Sequence, residues 1–241
     1  MPAAKCNWSL LTRNNLYSML YALHPKVTNK LIPVGEFHQL VTRHLKIHLP
    51  IKVCKRTAMS TKSGWVYLGG TYYSDKDFAH KSAIEIVFSY HTKDTNVKIT
   101  NHRWTKMCIL FADTILHEII HMRQYRARAF KAIPGYTSTA EHAKQRVDQE
   151  YYGSRDEMGA FSFNIACELY DRFGTDYNAA SEYLDTNQYK QHKKSTWFSY
   201  MKTFDGNHQQ KVIQTMKRKI RRLLPYASTG RPFKTSNWLT Y

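Results

Sequence analysis

Acidic residues are scarce in this sequence of 241 residues: 18 Asp and Glu accompany 36 Lys and Arg, and the formal net charge is +18. The scarcity is greatest in residues 190–241, where Asp205 is the only acid among many basic residues. A positive field attracts polyanions such as nucleic acid, an anionic membrane surface or an acidic protein. The sequence therefore predicts either a solubilising basic face or a polyanion-binding role for this segment.

The basic residues of that segment concentrate on one predicted helix, residues 208–224. We expect its exposed side to carry five cations: Lys217, Arg218, Lys219, Arg221 and Arg222. These side chains would contact the phosphates of a nucleic acid or of another polyanion. The nearby aromatic residues that could stack on bases are Trp197, Phe198, Tyr200, Tyr226 and Trp238.

Cysteine and long apolar runs are also rare. The four cysteines lie far apart and form no pair with the spacing of a zinc knuckle: Cys6, Cys54, Cys108 and Cys167. They are typical of the reduced thiols of an intracellular protein. No apolar run is long enough to span a bilayer, and the residues after Met1 lack the apolar core of a signal peptide. We therefore expect a cytoplasmic protein, while delivery by a virion or an injector stays open.

Hydrophobic residues make up 42% of the sequence and aromatic residues 14%, which is enough to bury a core and excludes a disordered chain. Apolar periodicity predicts helices at residues 9–23, 34–44, 104–131, 141–153, 155–173, 178–184 and 208–224, with Asn101 as N-cap of the long central helix. It predicts strands at residues 46–55, 65–68, 82–90 and 97–99, with a turn at Gly69 and Gly70. This order gives an α+β fold. We expect one compact domain with an N-terminal segment 1–80, a core 81–175 and a basic helical extension 176–241.

The central helix carries two histidines four residues apart. His117 and His121 lie on one helical face, one turn apart, so their imidazole nitrogens can share a metal ion. The usual occupant of such a pair is one Zn²⁺ ion. Glu118 lies beside the histidines, where a carboxylate can take a proton from a water activated by the metal. The run therefore predicts a metal, a base and a reaction together.

A catalytic zinc site needs a third protein ligand. Glu157 is our choice, because it begins a predicted helix in which Gly159 and Ala160 permit close helix packing. The alternatives are a three-histidine site with His142, or a carboxylate from Asp148 or Glu150. His91 and His102 are read as ordinary surface histidines.

Supporting groups around the predicted metal are less specific. A ligating histidine usually donates its second ring N–H to a carboxylate or carbonyl, and the candidate partners are Asp113, Asp156 and Asn164. A group that stabilises the oxyanion of an acyl-transfer reaction would come from Tyr136, Tyr151, Tyr152 or His142.

Residues 114–121, followed by residues 157–160, resemble the zincin metallopeptidases with the HExxH motif, and most closely the gluzincins, whose third ligand is a glutamate. The resemblance covers about residues 83–173. It implies a zincin-like fold, in which a small twisted sheet packs on the active-site helix and an edge strand binds an extended peptide, here residues 82–90. SprT-like metalloproteases share the basic charge but use a third histidine in a Gly/His-containing context that this sequence lacks. Compact zincins also occur in bacteriophages and mobile elements.

We therefore expect a zinc-dependent metalloendopeptidase in which Glu118 is the general base and His117, His121 and Glu157 hold the ion. Its partner would be a protein or peptide substrate. The alternative is a nucleic-acid-associated protein that uses the basic C-terminal segment. A degenerate zincin that serves only as a binding module is a third interpretation, and the retained Glu118 argues against it.

Overall fold

A computed structural model of the chain describes residues 8–230. The chain divides into two compact units whose boundary falls between Met122 and Arg123. The predicted division into residues 1–80, 81–175 and 176–241 stays a prediction.

The first unit begins with a 3₁₀ turn at Trp8–Leu10 and combines helices with short strands. Its helices are α1 (Arg13–Tyr21), α2 (His24–Val27), α3 (Val34–His48), α4 (Ser74–Phe78) and most of α5 (Asn101–Ala127). Its strands are β1 (Leu31–Pro33), β2 (Lys52–Ala58), β3 (Tyr67–Tyr72), β4 (Ile84–His91) and β5 (Asn96–Lys98).

The strands form two small sheets. In the larger one, β4 lies between β2, which runs parallel to it, and β3, which runs antiparallel to it. Alternate β4 side chains are buried, as its alternating sequence predicts: Ile84, Ile86, Phe88 and Tyr90. The short strands β1 and β5 pair antiparallel to each other.

The expectation that residues 82–90 form an edge strand is wrong. The backbone of β4 is hydrogen-bonded to strands on both sides, so it has no free row of N–H and C=O groups to offer a peptide. Among the described residues, the edges of this sheet are β2 and β3.

Three local predictions also need correction. Gly69 and Gly70 lie inside β3 and not in a turn. Helix α3 continues through His48 with Leu45 on its buried side, so β2 begins only at Lys52. Asn101 is the first residue of α5, and the Thr100 hydroxyl accepts a hydrogen bond from the Arg103 amide at 3.4 Å.

The second unit follows α5 with helices. They are α6 (Ala143–Gly153), α7 (Arg155–Phe173), α8 (Tyr177–Asp185), α9 (Thr196–Thr203) and α10 (Lys211–Ala227), with a 3₁₀ turn at Asn187–Gln191. Helix α7 packs against α6, α8, α9 and α10. Its buried side chains include Phe163, Ile165 and Leu169.

The ends of α7 follow local chemistry. The Ser154 hydroxyl accepts a hydrogen bond from the Glu157 amide at 3.3 Å, which satisfies a free N–H of the first turn. Gly174 ends the helix at φ 58° and ψ −126°, a positive-φ conformation that glycine adopts without strain. The interruption predicted at Gly153 and Ser154 and the stop at Gly174 are both confirmed.

The α+β class is confirmed, since the first unit combines helices with two small sheets and the second unit is helical. Within residues 8–230, no helix combines the length and the apolar character needed to cross a membrane.

Candidate metal centre

Helix α5 positions the two histidines of the motif. His117 and His121 lie one turn apart, and their ring centroids are 4.7 Å from each other. The helix is fixed by apolar neighbours of the motif that are fully buried, among them Phe111, Ile115, Leu116 and Ile119. Both histidines and Glu118 are buried as well, at 6–8% exposure. Buried polar groups of this kind need partners or a metal, because the loss of water is costly.

The first turn of α7 carries the third candidate ligand, Glu157. Its position relies on Asp156, whose carboxylate accepts two hydrogen bonds from Arg128, both of 2.7 Å. The Asp156 carbonyl also accepts a hydrogen bond from Gln124 at 3.1 Å. Gln124 is on the last turns of α5 and Arg128 follows that helix directly, so these bonds tie the end of α5 to the start of α7.

His117, His121 and Glu157 come together. Each offers one ligand atom, and these atoms all lie within 4.8 Å of one another. Two imidazole nitrogens and one carboxylate oxygen form the donor set of many catalytic zinc sites, which leave a fourth position open. The residues present therefore fit a zinc ion. Across residues 8–230 this is the one place where three such side chains meet.

The alternative ligands lie elsewhere. His142 is exposed at the N-cap position of α6, Asp148 is exposed and Glu150 is half-buried on that helix. His102 is exposed, and His91 Nδ1 accepts a hydrogen bond from the Lys93 amide at 3.1 Å. In the described part of the chain, none of the five belongs to a group of three metal-ligating side chains.

The predicted supporting carboxylates both have arginine partners. Asp113, one turn before His117, accepts hydrogen bonds from Arg13 at 2.6 and 3.0 Å. Asp156 is paired with Arg128. Asn164 is half-buried, two turns after Glu157 on α7. Their predicted contacts with the ligating histidines stay predictions.

Gly70 lies close to Glu118, and the sequence did not single it out for the candidate site. A Cβ atom at this position would lie 2.5 Å from Thr114 Cγ2 and 2.9 Å from Glu118 Oε1. Strand β3 therefore passes directly over the Glu118 carboxylate. A glycine within a strand pattern is the signal that could have indicated this close approach.

Two tyrosines lie in the electrostatic field of Glu157. Burial, and then the charges of Asp148 and Glu157, raise the pKa of Tyr152. Tyr200, which the sequence reading did not select for this site, is buried. Its hydroxyl donates to the Tyr152 carbonyl at 2.9 Å, and burial raises its pKa further above the usual range. Of the other candidates, Tyr151 is exposed and Tyr136 packs its ring against Gly153.

The predicted exposed side of α10 needs correction, because Lys217 is buried. Its Nζ donates to Asp185 at 3.1 Å and contacts His208 Nδ1 at 2.9 Å, and Arg221 is also bonded to Asp185. These acceptors draw the lysine head group into the helix packing. Arg218 and Arg222 are exposed as predicted, whereas Lys219 and Arg221 are half-buried.

The aromatic residues predicted to stack on bases near this helix differ in their exposure to solvent. Trp197 and Tyr200 belong to the core, and Phe198 is half-buried, so burial keeps the first two from stacking on bases. Tyr226 is 46% exposed. Trp238 lies outside the described residues.

Comparisons with known proteins identify no relative of this chain. No protein-family model matches the chain, and no curated protein or solved structure matches it significantly.

Proposed function

We propose that this chain is a zinc-dependent metallopeptidase of the gluzincin-like type. The observation that carries the proposal is that one ligand atom from each of His117, His121 and Glu157 lies within 4.8 Å of the others, and that the buried Glu118 adjoins His117 on α5. A peptidase has a use for every member of this set, whereas a purely structural zinc site usually has four protein ligands and no adjacent base.

The chain's own residues divide the work. His117, His121 and Glu157 would hold one zinc ion, which supplies Lewis acidity that activates water near neutral pH and polarises a carbonyl. Glu118 takes the proton from the attacking water and passes it to the leaving amine. We assign stabilisation of the developing oxyanion to the half-buried Tyr152, because Tyr151 and His142 are exposed and Tyr136 packs its ring against Gly153.

An extended protein or peptide segment is the proposed substrate. As an edge strand of its sheet, β3 can add a substrate strand through backbone hydrogen bonds. Its approach to Glu118 at Gly70 would bring that strand to the base. This assignment replaces β4, which is paired on both sides.

Metal content is the first test. We expect about one zinc per chain by plasma mass spectrometry of the wild type, as a three-ligand site predicts. Glu157→Ala should lose the zinc, and the matched control His142→Ala should keep it, because His142 is exposed on α6. A wild type that takes up no zinc after reconstitution would contradict the proposal, and so would zinc lost from His142→Ala alone.

The general base has a separate test. Glu118→Gln removes the proton acceptor and leaves all three proposed ligands in place, so it should retain zinc but lose hydrolysis by about 10²-fold or more. Cleavage of a denatured protein mixture, read by mass spectrometry of new termini, measures the loss. A zinc-loaded Glu118→Gln variant with wild-type cleavage would refute this mechanism.

Polyanion binding is a second candidate function, supported by the exposure of Arg218 and Arg222 on α10. It requires no metal and could operate with or without proteolysis. Retention of the chain on heparin, with elution by salt, tests it in general form.

A further inference from the structure

Two guanidinium groups and one aromatic ring are exposed on the same side of α10. Arg218, Arg222 and Tyr226 follow one another at intervals of four residues, and all three are exposed. Side chains four apart lie above one another on a helix, about 6 Å apart along its axis. The three groups therefore form a continuous stripe, and not a scatter of surface charge.

A second pair of cations, Lys219 and Arg155, lies beside this stripe, where α10 packs against α7. Lys219 is half-buried there, and Arg155 is the first residue of α7. Burial, and then the positive charges of Arg155, Arg222 and Arg218, lower the pKa of Lys219. The carboxylate that opposes this effect, Asp156, is already held by Arg128 through two hydrogen bonds. The packing of α10 on α7 thus gathers three arginines around Lys219, with Asp156 as the acid that opposes their charge.

The chemistry of these groups favours one kind of polyanion. Guanidinium groups form paired hydrogen bonds with phosphate oxygens, and an exposed ring offers a stacking surface to a base. In a duplex the base faces are covered by their neighbours, whereas a single strand offers phosphates and open base faces together. An acidic polypeptide supplies charge but has no need of the ring.

We propose that Arg155, Arg218, Lys219, Arg222 and Tyr226 form a binding site for single-stranded nucleic acid. The cations contact successive phosphates, and Tyr226 stacks on a base. This inference rests on the polyanion binding proposed above, to which it gives a partner class, and it is independent of the peptidase chemistry. Lys217 takes no part, because its side chain is buried against Asp185 and His208.

Fluorescence anisotropy of a labelled oligothymidine with the full chain, over a series of salt concentrations, tests the phosphate contacts. Each contact contributes roughly 0.7 to the slope of log K against log salt for a single strand. Arg218→Gln combined with Arg222→Gln should therefore reduce the slope by roughly 1.4, at about 0.7 for each lost contact. The matched control Lys193→Gln with Lys194→Gln removes the same charge from exposed lysines of the same unit and should leave the slope unchanged. Equal slopes for both double variants would overturn the assignment.

The aromatic contact has its own signature. Tyr226→Ala should weaken oligothymidine binding by about tenfold without changing the salt slope, since stacking releases no counterions. Tyr226→Phe keeps the ring and should bind like the wild type. Wild-type affinity in a Tyr226→Ala variant with an unchanged melting temperature would overturn the stacking contact.

Competing ligands separate the two levels of the proposal. A duplex or labelled polyglutamate that binds as tightly as oligothymidine at equal salt would overturn the single-strand assignment and leave polyanion binding standing. Failure of all three ligands to bind at low salt would overturn both the single-strand assignment and the proposed polyanion binding. Neither result bears on zinc content or on hydrolysis.

Discussion

At the scale of single residues, the most constrained backbone position near the proposed site is Gly70. The β3 backbone lies so close to α5 that any side chain at this position meets Thr114 and Glu118. Interiors are packed without spare volume, so a side chain at this position would displace the strand or the Glu118 carboxylate. Gly69, the preceding residue on the same strand, has open space where its Cβ would be.

These two glycines give a matched pair of variants. Gly70→Ala should destabilise the fold by about 1–3 kcal/mol, as overpacking does, and should also reduce hydrolysis by displacing Glu118. Gly69→Ala should change stability by no more than about 0.5 kcal/mol. Thermal melting and a cleavage assay measure the two effects. Identical behaviour of the two variants would show that β3 does not press on Glu118.

At the scale of elements, the join between α5 and α7 decides where Glu157 lies. Helix α5 ends at Ala127, and the turn that follows has Ala129 and Phe130 at positive φ. Arg128, within this turn, also donates from Nε to the Lys131 carbonyl at 2.6 Å, so one guanidinium holds the turn and Asp156 together. These contacts hold the first turn of α7, which carries the Glu157 carboxylate.

Arg128→Ala should therefore lower zinc affinity by about tenfold, the lower end of the loss seen when a group supporting a metal ligand is removed. The pair is half-buried, so part of the effect will be a fall in melting temperature. Lys106→Ala, an exposed change on the same helix, is the control. Competition with a chromophoric zinc chelator measures the affinity. An unchanged zinc affinity in Arg128→Ala would mean that the join does not position Glu157.

At the scale of the whole molecule, not every positive charge is on the surface, because one lysine of α10 is buried. Lys217 is only 2% exposed, and its Nζ lies between the Asp185 carboxylate and the His208 ring. Burial, and then the nearby charge of Lys217, lower the pKa of His208 below its ordinary value of 6.5. Its ring nitrogen can accept from the lysine only in the neutral form. Protonation would instead place two cations together.

The stability of the protein should accordingly depend on pH through His208. The folded-state pKa lies below the unfolded value, so the unfolded chain binds more protons as the pH falls below about 6.5, and stability is lost there. The wild-type melting temperature should fall between about pH 7 and pH 5. His208→Gln, whose amide oxygen can still accept from Lys217, should fall less. Parallel melting curves for the two proteins over this range would exclude His208 as a contributor.

The amino-acid sequence by itself determined the features that depend on near neighbours along the chain. The alternation of β4, the capped start of α7 at Ser154, its stop at Gly174 and the two histidines on one face of α5 all follow from local periodicity and cap chemistry. The choice of Glu157 came from donor chemistry, and the sequence carried no information on the distance between its carboxylate and the two imidazoles.

Only the tertiary structure decided which neighbour covers each face. Periodicity shows that β4 has a buried side, but not that strands pair with both of its edges. It groups Lys217 with the other cations of α10, but not with Asp185 and His208, which draw it into the interior. The glycine pair of β3 predicts a turn from local sequence, whereas in the structure Gly70 lies within the strand, close to Thr114 and Glu118 of α5. Such contacts join residues far apart in the chain, and local patterns carry no information about them.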